Sequence, residues 1–122
     1  MKIRIKGNSV RYRLSKTDVT ILVRDGYHEE HTVFATGTLT YALQRKEAEE
    51  DLTATYTGNK ITLYLSAAFL KDWETNAVIG CDARMPLNDK DSLYLLVEKD
   101  FKCLDDTTED QSDNYDNPNQ TC

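Results

Sequence analysis

Five cations open the chain at alternating positions on either side of one turn: Lys2, Arg4 and Lys6, then Arg11 and Arg13. With Gly7-Asn8 as a two-residue hairpin turn, Arg4 falls opposite Arg11 and Lys2 opposite Arg13, while Lys6 ends the row across from Ser9. Ile3, Ile5, Val10 and Tyr12 then share the other, buried side. Like charges directly opposite each other on a sheet repel, so something negative is expected to cover the basic side. Three coverings are open. Glu29, Glu30, Glu98 or the acidic C-terminal stretch can form salt bridges inside the fold, Arg forks can hold an anionic small molecule, or a protein partner can dock. No aromatic platform interleaves with these cations, so nucleic acid is not an expected partner.

Thiol and metal chemistry has thinner support. Cys81, Cys103 and Cys122 are odd in number and show no Cys-x-x-Cys spacing. Cys81 follows Ala77-Val78-Ile79-Gly80 and reads as a core thiol. Cys103 and Cys122 flank an acidic stretch and are the weak candidates for a redox pair or a two-thiolate metal site; two unrelated free thiols are the plainer reading. Zinc would need two more ligands, and His28 and His31, three apart on a strand, point to opposite faces. Asp110, Ser112, Asn114 and Asp116 place oxygens at alternate positions, as calcium loops do. Tyr115 stands where an EF-hand needs Gly, however, and Thr121 where it needs Glu. A Gly-rich phosphate loop, Gly-x-Ser-x-Gly and His-Glu-x-x-His are all missing. Glu29-Glu30, Glu47 and Glu49-Glu50 read as solvated loop and edge charges. Catalytic residues and a resident cofactor are not expected.

The elements that must carry these residues are written in an internal repeat with an offset of 51 residues, as in Gly7 and Gly58. Gly7-Asn8-Ser9-Val10-Arg11-Tyr12-Arg13-Leu14-Ser15 aligns with Gly58-Asn59-Lys60-Ile61-Thr62-Leu63-Tyr64-Leu65-Ser66. Gly followed by Asn suits a type II′ turn, and the closing Ser of each copy suits a helix N-cap. Ser15-Lys16-Thr17-Asp18 is a capping-box start, with Val19, Leu22 and Val23 on one helical face and Gly26 as the stop. Ser66 precedes Phe69, Leu70 and Trp73 in the same way. Further strands are expected over His31–Ala35 and Thr38–Gln44, then over Ala77–Arg84 and Ser92–Lys99. The expected fold is α+β, with a mainly antiparallel sheet, curled or barrel-like, built from a duplicated ββαββ unit with two short helices.

Two resemblances follow from these residues. A duplicated, helix-containing four-strand unit whose first strand alternates charges and ends in Lys resembles the CYTH and triphosphate-tunnel proteins. That family carries Glu-x-Glu-x-Lys there, glutamates for metal and basic strands for triphosphate. Lys2-Ile3-Arg4-Ile5-Lys6 agrees only at Lys6, with Arg11 and Arg13 matching the basic second strand, so the resemblance implies anion binding more than hydrolysis. The opening Lys-Ile-Arg-Ile-Lys-Gly-Asn-Ser, with Glu98-Lys99-Asp100-Phe101-Lys102-Cys103-Leu104, Glu109-Asp110, Asn117-Pro118 and Cys122, is similar to a family of short uncharacterised bacterial proteins. That resemblance implies no activity.

Composition sets the frame. The 122 residues are 39% hydrophobic and 30% charged, with a formal charge of 15 − 21 = −6, which suits one soluble domain. The charge is unevenly spread: +6 over residues 1–16, −6 over 17–97 and −6 over 98–122. The expected domain is 1–104, with halves of about 1–51 and 52–102, and 105–122 as an acidic polar tail. With no apolar run of membrane length and no signal-like opening, the cytoplasm is the expected location, without membrane contact. The expected role is a non-catalytic domain that binds an anionic small molecule or a protein partner through Lys2, Arg4, Lys6, Arg11 and Arg13. The alternatives are a degenerate tunnel-type phosphohydrolase and a metal module using Cys103 and Cys122.

Overall fold

The computed structural model describes residues 1–101 and Tyr115. Apart from Tyr115, the acidic stretch 105–122 lies outside the described residues, as do Asp110, Ser112, Asn114 and Asp116 of the oxygen pattern, Cys103 and Cys122. The chain runs β1 (Lys2–Ile5), β2 (Ser9–Leu14), α1 (Lys16–Asp25), β3 (Tyr27–Phe34), β4 (Gly37–Lys46), β5 (Leu52–Thr57), β6 (Lys60–Ser66), α2 (Ala67–Leu70), β7 (Gly80–Pro86) and β8 (Ser92–Lys99). The fold is α+β.

Local chemistry accounts for the element boundaries. Ser15 accepts the Asp18 backbone N–H through its hydroxyl, and the Asp18 carboxylate accepts the Ser15 backbone N–H, so the capping box is complete. Gly26 takes φ 74° and sends its N–H back to the Leu22 carbonyl, ending α1 in the left-handed geometry that Gly adopts without a Cβ penalty. The chain is then free to enter β3 at Tyr27, four residues before the expected His31. β7 instead starts late. The Trp73 indole N–H donates to the Val78 carbonyl at 2.9 Å and the Asn76 side chain accepts from the Val78 N–H at 3.0 Å, holding that segment as a loop. The first turn has only Gly7 at positive φ, whereas Gly58 and Asn59 are both positive, at 55° and 60°. The second turn is therefore type I′ rather than II′.

The strands form two four-stranded sheets, β1-β2-β8-β7 and β3-β4-β6-β5. The hairpin ladders are antiparallel, and β1 pairs with β2 in the expected register, Lys2 with Arg13 and Arg4 with Arg11. The central ladders, β2 with β8 and β4 with β6, are parallel. The sheets are thus mixed and do not close into a barrel. Each sheet joins the hairpin of one half to the closing hairpin of the other. Tyr12, Leu14, Val19 and Leu22 are buried, as are Leu63, Leu65, Leu70 and Trp73. Tyr12 spans the two sheets, its hydroxyl donating to the Ile61 carbonyl at 3.1 Å, and burial pushes its pKa up. Ile5, expected on the buried side, is exposed at the hairpin tip, and Val10 is half-buried.

Gly80 marks a close backbone approach. A Cβ there would fall on the Val97 carbonyl oxygen and the Glu98 backbone. Gly80→Ala is expected to cost roughly 1–3 kcal/mol by pushing β7 off β8. Gly37→Ala, where a Cβ meets nothing within 4 Å, is expected to stay within about 0.5 kcal/mol. Urea unfolding of the two variants measures the difference.

Candidate functional sites: a basic sheet face and a buried charge cluster

Paired residues share a sheet face, so the registers define the outer side of the first sheet. Lys2, Arg13 and Glu98 form one row, with Gly80 at its end. Arg4, Arg11, Leu96 and Asp82 form the next, and Ser9, Tyr94 and Arg84 the third. The structure therefore brings Lys2, Arg4, Arg11 and Arg13 together as the alternation predicted, with exposed Lys6 beside the turn. Part of the covering is internal. Glu98 Oε1 lies 3.0 Å from Arg13 Nε and 3.7 Å from Arg11 Nε, and Lys2 Nζ lies 2.9 Å from Asp100. Arg4 is engaged as well.

Glu29 and Glu30, the other expected covers, sit on β3 in the second sheet and play no part in this face. Arg84, which sequence reasoning passed over, stacks 5.2 Å from the Tyr94 ring centre, and the Tyr94 hydroxyl donates to Asp82 at 3.1 Å. Among the described residues this face carries the cations Lys2, Arg4, Lys6, Arg11, Arg13 and Arg84 and the carboxylates Asp82, Glu98 and Asp100.

A second constellation went unseen in the sequence. On the core side of edge strand β3, beneath α1, the Met1 α-ammonium lies 3.0 Å from Asp18 Oδ2 and 2.7 Å from Glu30 Oε2. His28 Nε2 lies 2.8 Å from Asp18 Oδ1. The side chain of Asp18 is 8% exposed and that of His28 14%. Glu30 Oε2 is buried and takes its compensation from the Met1 ammonium, which lies 2.7 Å away and can turn an N–H toward it. Asp18 reads in the sequence only as a helix cap. The available signal was the alternation His28-x-Glu30, which places both side chains inward opposite Leu43 and Tyr41. His31 points outward and meets Thr40 Oγ1 at 2.9 Å, so the two histidines do not converge, as their spacing predicts.

Cys81, half-buried rather than a full core thiol, has its pKa pushed up to about 11 by burial and by the nearby Asp51 and Asp82 carboxylates, so it is a poor nucleophile.

A third concave surface, of about 280 Å³, lies at the hairpin tips of the second sheet, lined by Phe34, Leu39, Tyr56, Thr38 and Asn59.

The cluster makes stability depend on pH from both sides. Burial pushes the Asp18 carboxyl up, but the Ser15 N–H, the Met1 ammonium, His28 and the Ser15 hydroxyl outweigh it and hold the pKa down to about 2. The ordinary value is 3.8, so this stability is full above pH ~4 and lost as pH falls toward 2, about 2 kcal/mol in all. Burial lowers the pKa of the Met1 ammonium, while Glu30 and Asp18 more than restore it, for a net rise above 8.0. That contribution is full below pH 8 and fades as pH climbs through the raised value. Urea midpoints of the native chain should therefore fall on both sides of a plateau, and Asp18→Asn should flatten the acid limb; an unchanged acid limb would contradict the assignment.

Comparison with curated proteins and with solved structures finds no match. Among the described residues no helix is long and apolar enough to cross a membrane. The model of the family of unknown function DUF7009 matches residues 1–119, so this chain belongs to that family.

Proposed function

We propose that the protein is a non-catalytic binding domain whose outer first-sheet face takes an acidic polypeptide segment or another extended anion. The observation that carries this reading is the gathering of Lys2, Arg4, Lys6, Arg11, Arg13 and Arg84 on one four-stranded face of a chain whose total is −6. A sheet face suits an extended ligand, contacted by several cations in a row, better than a small enclosed one. Arg11 and Arg13 present guanidinium forks for carboxylate or phosphate, and the Arg84–Tyr94 stack orients a third. The free Cys81 thiol supports a cytoplasmic setting.

The test uses the full chain. A poly-glutamate peptide and inorganic tripolyphosphate are titrated at low ionic strength and again near 0.3 M salt. Binding is expected to weaken about tenfold or more with salt, because exposed charges are screened over less than ~10 Å. Lys6→Glu with Arg84→Glu, both exposed, should weaken it by a further factor of about ten. Absence of low-salt binding, or indifference to the charge reversals, would overturn the proposal. Release of orthophosphate from tripolyphosphate with Mg²⁺ would replace it with a hydrolase.

A further inference from the structure

We infer that β1 is the docking edge of the basic face, where an extended segment of another protein, with acidic and apolar residues in alternation, adds to the four-stranded sheet. This rests on the reading of the face given above and names the order of residues that its partner needs. The backbone supplies the first observation. Lys6 donates its N–H to the Ser9 carbonyl at 3.2 Å, which makes that pair a hydrogen-bonded one. Hydrogen-bonded and non-hydrogen-bonded pairs alternate along an antiparallel ladder. Arg4 with Arg11 and Lys2 with Arg13 are then bonded pairs, and Ile3 and Ile5 fall between them. The N–H and C=O of Ile3 and Ile5 therefore turn away from β2, and among the described residues β1 has no strand on that side.

The side chains supply the second observation. Lys2, Arg4 and Lys6 alternate along the outer side of this edge, and Lys2 stays 76% exposed even while it meets Asp100. Ile3 and Ile5 alternate with them on the inner side, Ile3 half-buried and Ile5 58% exposed. An added strand repeats every two residues, about 6.8 Å, so its side chains fall in step with these. Acids at every second position meet the cations, and the apolar residues between them cover Ile3 and Ile5. Opposite charges and apolar pairs facing each other across strands both stabilise a sheet.

The other edges offer a different surface. Outward positions hold Asp82 beside Arg84 on β7, Glu29 on β3 and threonines on β5. A second copy of this chain is a poor occupant, because two β1 strands would set cation against cation. The chain's own sequence contains no run of acid-apolar-acid-apolar-acid. The occupant is therefore a different polypeptide, held by backbone bonds along the strand and selected by its alternate side chains, as in strand addition generally.

The full-length protein is titrated at low ionic strength with three capped peptides. One has a Glu-Val-Glu-Val-Glu centre, one the same residues ordered Val-Val-Glu-Glu-Glu, and the third is poly-glutamate. The alternating order is expected to bind about tenfold more tightly than the reordered one. Amide hydrogen exchange, read by NMR on the native chain, should slow at Ile3 and Ile5 when the alternating peptide saturates it. Ile5→Ser should weaken that peptide about threefold or more and leave poly-glutamate unchanged. Equal affinity for the two orders, or unchanged exchange at Ile3 and Ile5 in the saturated complex, would overturn the edge strand while poly-glutamate binding keeps the face. Failure of all three peptides to bind would remove both.

Discussion

Two parallel ladders, β2 with β8 and β4 with β6, hold this molecule together. Each half of the chain supplies one hairpin to each sheet, so neither half owns a complete sheet or a complete core. Without the parallel ladders the strands would fall back into isolated hairpins, which are marginal in water. The central ladders bring Leu14, Tyr12 and Val97 onto one inner face and Leu43, Leu63 and Leu65 onto the other. The Tyr12 hydroxyl bond to Ile61 then ties the inner faces across the core. Because Glu98 lies on β8, the same ladder delivers a carboxylate that meets both Arg11 and Arg13.

Within this shared scaffold the two sheets divide the polar chemistry differently. The first sheet keeps Lys2, Arg4, Arg11, Arg13, Arg84, Asp82 and Glu98 on the outer side, where water screens them and the repulsion among cations is tolerable, while Lys99 turns inward over Trp73. The second brings charge inward beneath α1, where every group needs a partner. Asp18 answers two demands there: one oxygen accepts the Ser15 N–H and the Met1 ammonium, while the other meets His28. The helix start and the position of the chain's first residue are thereby coupled through one carboxylate.

How much of this is legible in the sequence depends on the range of the interaction. The positions of the Gly-Asn turns, the Ser15 and Ser66 caps, the Gly26 stop and the β1–β2 register are local, decided by neighbours a few residues apart, and they read correctly; only the type of the second turn, I′ in place of II′, did not. The assignment of strands to sheets is not local. Nothing in Ser9–Leu14 names Ser92–Lys99 as its parallel neighbour, so the mixed sheets and the lack of barrel closure had to come from the structure. The basic row was visible through alternation, and Glu98 was among its candidate covers; Glu29 and Glu30 were misplaced because their sheet was unknown. The buried cluster stayed hidden for a different reason. Asp18 already had an explanation as a cap, and His28 and Glu30 look like ordinary edge-strand charges until α1 is laid over them.

The long reach of the β2–β8 ladder also bears on how the chain leaves the ribosome. Synthesis proceeds at roughly 5–20 residues per second, and the second sheet has all its strands once Ser66 has emerged. The first sheet must wait for Lys99. Throughout that interval β2 has a partner on one side only, with Val10, Tyr12 and Leu14 beside an open edge, the kind of strand that recruits other chains. Arg11 and Arg13 alternate with those residues, and a second nascent hairpin laid against the edge would bring its own arginines with it. The mutual repulsion that the finished sheet must offset with Glu98 is a safeguard for the growing polypeptide.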